Sequence, residues 1–160
     1  DKEHKHSGVN DMTLQIRSGE IVGIAGVDGN GQTQLAQLIT GVIAPQGGKI
    51  YLKDRSVAVF DPHSFITDGV SHVPEDRNAQ SLLVMAHPTR GLDIGAASFV
   101  HEQMIAARER GVGILLISAD FDEILEMSDR ILVCFEGQIM GEFSGKNPPI
   151  EEVSLAMTGK

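Results

Sequence analysis

The strongest constraint on this 160-residue chain is a run of three adjoining segments: Ile21-Val22-Gly23-Ile24-Ala25, the glycine-spaced stretch Gly26-Val27-Asp28-Gly29-Asn30-Gly31-Gln32-Thr33, and Gln34 to Thr40. The first is short and apolar throughout, which predicts a strand buried on both faces. The last carries Leu35, Leu38 and Ile39 at helical spacing, one face for a sheet. Between them the glycines let the backbone turn so that successive N–H groups converge. The helix start adds about half a positive charge aimed at the same point. Strand, loop and helix thus build an anion seat, and phosphate is the guest it favours.

The loop matches G-x-x-x-x-G-K-[ST] at every fixed position but one, because Gln32 stands where lysine belongs. A neutral amide still donates a hydrogen bond but forgoes the charge-assisted share, about 1.5–3 kcal/mol. Asp28 adds an unfavourable carboxylate if it faces inward. Thr33 keeps a hydroxyl that suits Mg²⁺. Taken alone, the same residues also fit a glycine-rich turn that binds nothing.

Three further apolar runs, Val70 to Val73, Leu82 to Ala86 and Val112 to Ile117, read as buried strands. Helical patterns run over Gln32 to Gly41, Ala96 to Arg110 and Phe121 to Met127, so the expectation is an α/β fold with a mainly parallel sheet. Thr13 to Arg17 alternates and enters the first core strand through Ser18-Gly19. Ile131 to Phe135 and Gln138 to Phe143 flank Glu136-Gly137. Both are predicted as antiparallel hairpins. After Asn147-Pro148-Pro149, Ile150 to Met157 predicts a short closing helix with Glu151 and Glu152 in its first turn. No repeat or linker interrupts 1–160, which reads as a single domain. One spacing conflicts with this layout: only the eight positions Pro74 to Ser81 join two of the runs, fewer than the dozen or so a parallel crossover takes. Those strands are antiparallel, or chain is missing there.

Polar and unusual residues follow each run at its C-terminal end: Pro74-Glu75-Asp76-Arg77, then His87-Pro88-Thr89-Arg90-Gly91-Leu92-Asp93 after Ala86, then Ser118-Ala119-Asp120. In open parallel sheets the ligand crevice lies at those ends, so four strand ends point at one site.

Composition removes other classes. A net charge of −9 disfavours a nucleic-acid surface, and with no Trp and one Tyr there is little to stack bases or sugars on. Cys134 is the single cysteine, so there is no internal disulfide or cysteine zinc cage, and a cytosolic location is expected. No stretch is long and apolar enough to span a bilayer, so any membrane association runs through a partner. His4 and His6 lack a third ligand, and His63, His72 and His101 share no spacing. The methionines 85, 104, 127 and 140 read as core or interface filler.

Ser18 to Thr33, Val73-Pro74-Glu75-Asp76-Arg77 and Pro88-Thr89-Arg90-Gly91-Leu92-Asp93 together resemble a nucleotide-binding domain of an ATP-binding cassette (ABC) transporter, in particular the second half of a tandem simple-sugar or nucleoside importer ATPase. The resemblance runs from about Val9 to Gly159 and includes Leu115 to Ile131. It implies a P-loop NTPase, RecA-like core with an antiparallel β subdomain, and it implies ATP and Mg²⁺ as ligands. It also implies a second nucleotide-binding domain and transmembrane permease subunits as partners, at the inner face of a membrane. On it, Gly26, Val27, Asp28, Gly29, Asn30, Gly31, Gln32 and Thr33 form the Walker A loop, with Thr33 toward Mg²⁺. Glu75 holds the Q-loop position and Asp93 ends the D-loop.

The departures matter as much. Where the family has a metal-binding Asp and a catalytic Glu after the Walker B strand, this chain has Ala86 and His87, and Ala119 replaces the switch histidine. With the loop lysine also gone, a site that holds nucleotide yet hardly hydrolyses it is expected, since loss of a positioned base alone costs about 10²–10⁴ in rate. His87 as a substitute base is the weaker reading, because the metal carboxylate beside it is absent. The signature-loop subdomain would belong near Asn78, where the connector is short, so several dozen residues are expected to be missing there. The competing expectation is a scaffold that binds no nucleotide. A GTPase-like switch lacks its N-K-x-D motif, and DNA-repair relatives of this core need coiled-coil arms.

Overall fold

A computed structural model describes residues 8–72 and 81–160. The chain forms β1 (Ile21–Ala25), α1 (Gln32–Ile39), β2 (Tyr51–Leu52), β3 (Arg55–Ser56), α2 (Pro62–Thr67), β4 (Val70–Ser71), β5 (Leu82–Ala86), α3 (Ile94–Glu109), β6 (Gly113–Ile117), α4 (Phe121–Met127), β7 (Arg130–Phe135), β8 (Gln138–Ser144) and α5 (Ile150–Ala156). Six strands make one sheet in the order β4-β5-β6-β1-β7-β8, and β2 and β3 form a separate antiparallel pair.

The continuous apolar runs are strands covered on both faces, and the strand period of two sorts their side chains. Ile21, Ala25, Ile114, Leu116, Ile131 and Val133 pack toward Met104 and Ala107 of α3, Ile124 and Met127 of α4 and Val153 of α5. Val22, Ile24, Leu115, Ile117, Leu132 and Cys134 face the other way, toward Leu35 of α1. Each such aliphatic side chain contributes about 1.5–3 kcal/mol on burial, and the order β6-β1-β7 keeps β1 inside the sheet with the loop after it at the C-terminal end of the strands.

β1 pairs in parallel with β6 and with β7, β5 with β6, and β4 with β5. The β4–β5 register, Val70 opposite Leu82 and Ser71 opposite Leu83, excludes the antiparallel alternative for these strands. Ten positions still separate them, so the conflict in crossover length stands. The hairpin expected across Ser18-Gly19 does not form. Both edges of β1 are occupied by parallel neighbours, leaving no place for an antiparallel partner. Val9, Met12, Leu14 and Ile16 nonetheless pack against the Leu35 side of the core, which accounts for the alternation in the sequence. The second hairpin does form: β7 and β8 are antiparallel, joined by Glu136 and Gly137 at φ 47° and 77°, the left-handed pair a two-residue turn needs.

α1 and α3 differ by a residue or two at their ends from the sequence expectation, and α4 coincides with it. α2, capped by Asp61 through the Ser64 N–H at 3.0 Å, was not anticipated, whereas the β2–β3 pair supplies the small antiparallel sheet that the resemblance implied without locating it.

Candidate functional site

Gly26 to Thr33 leave the C-terminal end of β1 and enter α1. The turn is possible because Gly29 and Gly31 hold φ of 92° and 98°, in the region L side chains avoid. Gly31 is also the N-cap of α1. No side chain caps that end and no acidic residue lies in its first turn, so the leading amides of the helix keep their donor capacity and their positive field.

The loop is braced from outside. The Asn30 carbonyl accepts from the Gly137 N–H at 2.9 Å and from the Cys134 thiol at 2.9 Å, and Asn30 Oδ1 accepts from the Glu136 N–H at 3.0 Å. Asn30 Nδ2 donates to the Val27 carbonyl at 2.9 Å. The β7–β8 turn is therefore a buttress for the loop, a role invisible in the loop's own sequence. Burial pushes the Cys134 thiol up to about 11, so it acts as a neutral donor here.

Gln32 folds back into its own loop and is 6% exposed. Its Nε2 donates to the Val27 carbonyl at 2.9 Å and its Oε1 accepts from the Asn30 N–H at 2.9 Å. The lysine position thus braces the loop internally and engages one amide that an anion would use.

The parallel order β5-β6-β1 brings the tips of β5 and β6 to the same edge as the loop. Asp28 Oδ1 lies 3.8 Å from His87 Nε2, and Asp28 Oδ2 lies 3.3 Å from an Arg90 guanidinium nitrogen, which is itself 3.2 Å from His87 Nδ1. His87 sits at φ 49°, its N–H donating to the Ile117 carbonyl at 2.7 Å. Ala86 and Ala119 are exposed at the tips of β5 and β6 and bring no polar atom. Ser118 is buried, its Oγ accepting from the Asp120 N–H at 3.0 Å. Asp93 caps α3 through the Ala96 N–H at 2.8 Å and is exposed. Glu75 lies outside the described residues.

The sequence puts Arg90 at a strand end facing the site without pairing it to the loop, and Glu123 stands in it only as part of the family-like run Leu115 to Ile131, with no role. Glu123 of α4 is 3% exposed. Its Oε2 accepts from the Thr89 hydroxyl at 2.5 Å and lies 2.6 Å from His101 Nε2, while Oε1 has no partner among the described residues. A carboxylate placed in an amphipathic helix gives no sequence signal for such a contact.

The phosphates of a nucleotide fit this arrangement: an uncapped helix start, a glycine loop and a nearby guanidinium. A resident metal does not fit. Thr33 offers an exposed hydroxyl, Ala86 offers nothing, and no group of three His, Cys, Asp or Glu among the described residues is placed to hold an ion. Among the described residues no helix is long and apolar enough to cross a membrane.

Curated relatives include the nucleoside import ATP-binding protein NupA of Lactococcus lactis, 29% identical over 94% of this chain and 45% of its own length. They also include the glucose import ATP-binding protein TsgD13 of Haloferax volcanii, 29% identical over 94% of this chain and 42% of its own length. The ribose import ATP-binding protein RbsA of Shigella dysenteriae is likewise 29% identical, over 94% and 44%. The chain spans about half the length of the curated relatives it matches. The match to NupA extends over 227 positions against 160 residues here, so at least 67 positions have no counterpart in this chain. A nucleotide-free ATP-binding cassette from an ABC transporter shares the fold at TM-score 0.78 and 16% identity, covering 94% of this chain and 88% of that one. So does the ADP conformation of the cassette MJ1267, at TM-score 0.76 and 16% identity, covering 94% and 89%. The family model for ABC transporters matches residues 9–143, and the chain belongs to that family.

Proposed function

We propose that this chain is an ATP-binding domain of an ABC importer for simple sugars or nucleosides, the second half of a tandem ATPase. In this role it seats ATP on Gly26–Thr33, beside a second nucleotide-binding domain, and works on permease subunits at the cytoplasmic face of a membrane. The observation that carries the reading is the uncapped start of α1 beneath the glycine loop, at the edge shared by the tips of β5 and β6. The relatives' names supply the importer class and leave sugar against nucleoside open.

Hydrolysis at this site is weak on this reading. Ala86 and His87 provide no carboxylate after β5, and Ala119 provides no imidazole after β6. Any Mg²⁺ arrives with the nucleotide and, among the described residues, meets the hydroxyl of Thr33. Asp93, besides capping α3, would face the partner domain, and Glu75, outside the described residues, would take the Q-loop role of sensing the permease. The short β4–β5 connection and the unmatched positions of the longer relatives support a missing subdomain near Asn78. The mass of the intact gene product tests that point and the tandem arrangement together.

One observation favours the scaffold reading instead: Gln32 is already bonded into the loop and holds the Asn30 amide. Calorimetry separates the two. Saturable heat with Mg·ATP, accompanied by turnover no faster than the uncatalysed background, is expected. No heat at millimolar ATP makes the domain a scaffold, and rapid turnover removes the claim of a weak site.

A further inference from the structure

With Gln32 neutral and folded inward, the loop brings no cation of its own, but the turn after β5 brings one. Arg90 is fixed at its base: the Thr89 hydroxyl beside it is held by Glu123, which is tied in turn to His101 of α3. The turn closes on itself through the Arg90 N–H to the His87 carbonyl at 3.2 Å and the Leu92 N–H to the Thr89 carbonyl at 3.1 Å. From this fixed base the side chain reaches the loop, where its guanidinium meets Asp28 at 3.3 Å. Both side chains are more than half exposed, 58% for Arg90 and 65% for Asp28. An exposed pair of this kind is weak and readily exchanged.

We propose that Arg90 is the residue that binds the terminal phosphates of a nucleoside polyphosphate at this site, in place of the missing loop lysine. Asp28 is its internal competitor, holding the guanidinium at the loop's mouth until a polyphosphate displaces the carboxylate. The inference rests on the loop being a nucleotide site. A polyphosphate outcompetes one carboxylate because it carries more charge and offers paired oxygens to the planar guanidinium fork. The carboxylate, the imidazole and the guanidinium lie within 3.8 Å of one another in space, so the guanidinium already stands at the loop's mouth. His87 aims the group, its Nδ1 lying 3.2 Å from the guanidinium nitrogen.

Calorimetric titration of the whole chain with Mg·ATP, and separately with inorganic tripolyphosphate, tests this in the wild type, Arg90→Gln, Arg90→Lys and Asp28→Asn. Arg90→Gln is expected to weaken both ligands about tenfold or more, with Arg90→Lys recovering only part. Asp28→Asn is expected to tighten both by about threefold or more, because it removes the competitor and a like charge. Both side chains are exposed, so matching thermal midpoints check that the variants fold. If the wild type binds ATP and Arg90→Gln binds it within twofold, the role of Arg90 is overturned while the nucleotide site stands. If Asp28→Asn weakens binding, the competitor is overturned. If the wild type binds neither ligand, the nucleotide site and this inference fall together.

Discussion

The loop after β1 and the tips of β5 and β6 border the same crevice, yet they are built in opposite ways. The loop is shaped by glycines at positive φ and braced from within by Gln32. The tips carry Ala86 and Ala119, whose side chains bring no polar atom, and only the turn after β5 brings His87 and Arg90 toward the loop. Packing explains the contrast. A Cβ on Gly26 would lie 2.7 Å from the Cys134 carbonyl oxygen, and one on Gly31 would lie 3.1 Å from Gly8 O and Gly137 Cα. Gly26 and Gly31 are thus held in place by neighbours whatever the loop binds, while Gly29 faces open space and is favoured by its φ of 92° alone. Ala86 and Ala119 sit exposed, where polar groups can be removed without cost to the core. A retained glycine loop in this fold therefore speaks for structure first, and binding has to be tested separately from catalysis.

Altering one member of each region separates what the loop does from what the tips do. Gly31→Val places a branched side chain at φ 98° against two backbone neighbours. It is expected to cost about 1–3 kcal/mol of stability and to reduce ATP affinity a hundredfold or more, read by thermal melting and calorimetry. Ala119→His, exposed at the tip of β6, is expected to leave stability within about 0.5 kcal/mol and ATP affinity unchanged. Equal ATP affinity in the two variants would mean that the loop is not the seat.

Gln32→Lys puts a cation into the loop itself. In Gln32→Lys the ammonium still donates to the Val27 carbonyl, but it cannot accept from the Asn30 N–H, so that amide is freed for phosphate. ATP affinity is expected to rise about tenfold or more, consistent with about 1.5–3 kcal/mol for a charge-assisted bond. Turnover is expected to stay at background, because Ala86, His87 and Ala119 are untouched. A rise in turnover would show that the tips are not what limits the chemistry.

The core was legible in the sequence because period and burial coincide there. Ile21 to Ala25, Leu82 to Ala86 and the run ending at Ile117 are apolar throughout and became the central parallel strands. The segment Thr13 to Arg17 misled because alternation reports which face is buried and not whether an edge is free to pair. At the site, the loop was legible from its glycines, which report backbone conformation. Arg90 and Glu123 were not, since their partners lie 62 and 34 residues away and only the sheet order brings them together. The bracing of the loop by Glu136 and Gly137 was hidden for the same reason.

Asn30 joins the loop to the β7–β8 hairpin through its side chain as well as through its carbonyl. Asn30→Ala removes its bonds to the Val27 carbonyl and the Glu136 N–H while leaving the backbone bond to Gly137. A loss of about 1–2 kcal/mol in chemical denaturation is expected, with weaker ATP binding as the loop loosens. Unchanged stability would mean that the glycines alone hold the loop's shape.

The other end of β1 provides the control. Glu20, just before the strand, accepts from Arg130 at 2.8 Å and from the Arg17 N–H at 2.8 Å, and Arg130 also donates to Glu142 at 3.1 Å. Burial pushes the Glu20 carboxyl up, but the bonds from Arg130 and Arg17 outweigh it and hold the group below its ordinary 4.5. Its contribution is therefore complete above pH 4.5 and disappears as the pH falls through the lower folded value. Glu20→Gln is expected to cost on the order of 1 kcal/mol at neutral pH, and the gap to wild type should close as the pH drops below about 4.5. At neutral pH the same variant should bind ATP within twofold of wild type, because Glu20 enters the strand opposite the end that carries the loop. A gap that stays constant into acid would show that the ion pair is not what Glu20 contributes, and a large loss of ATP affinity would show that the two ends of β1 are coupled.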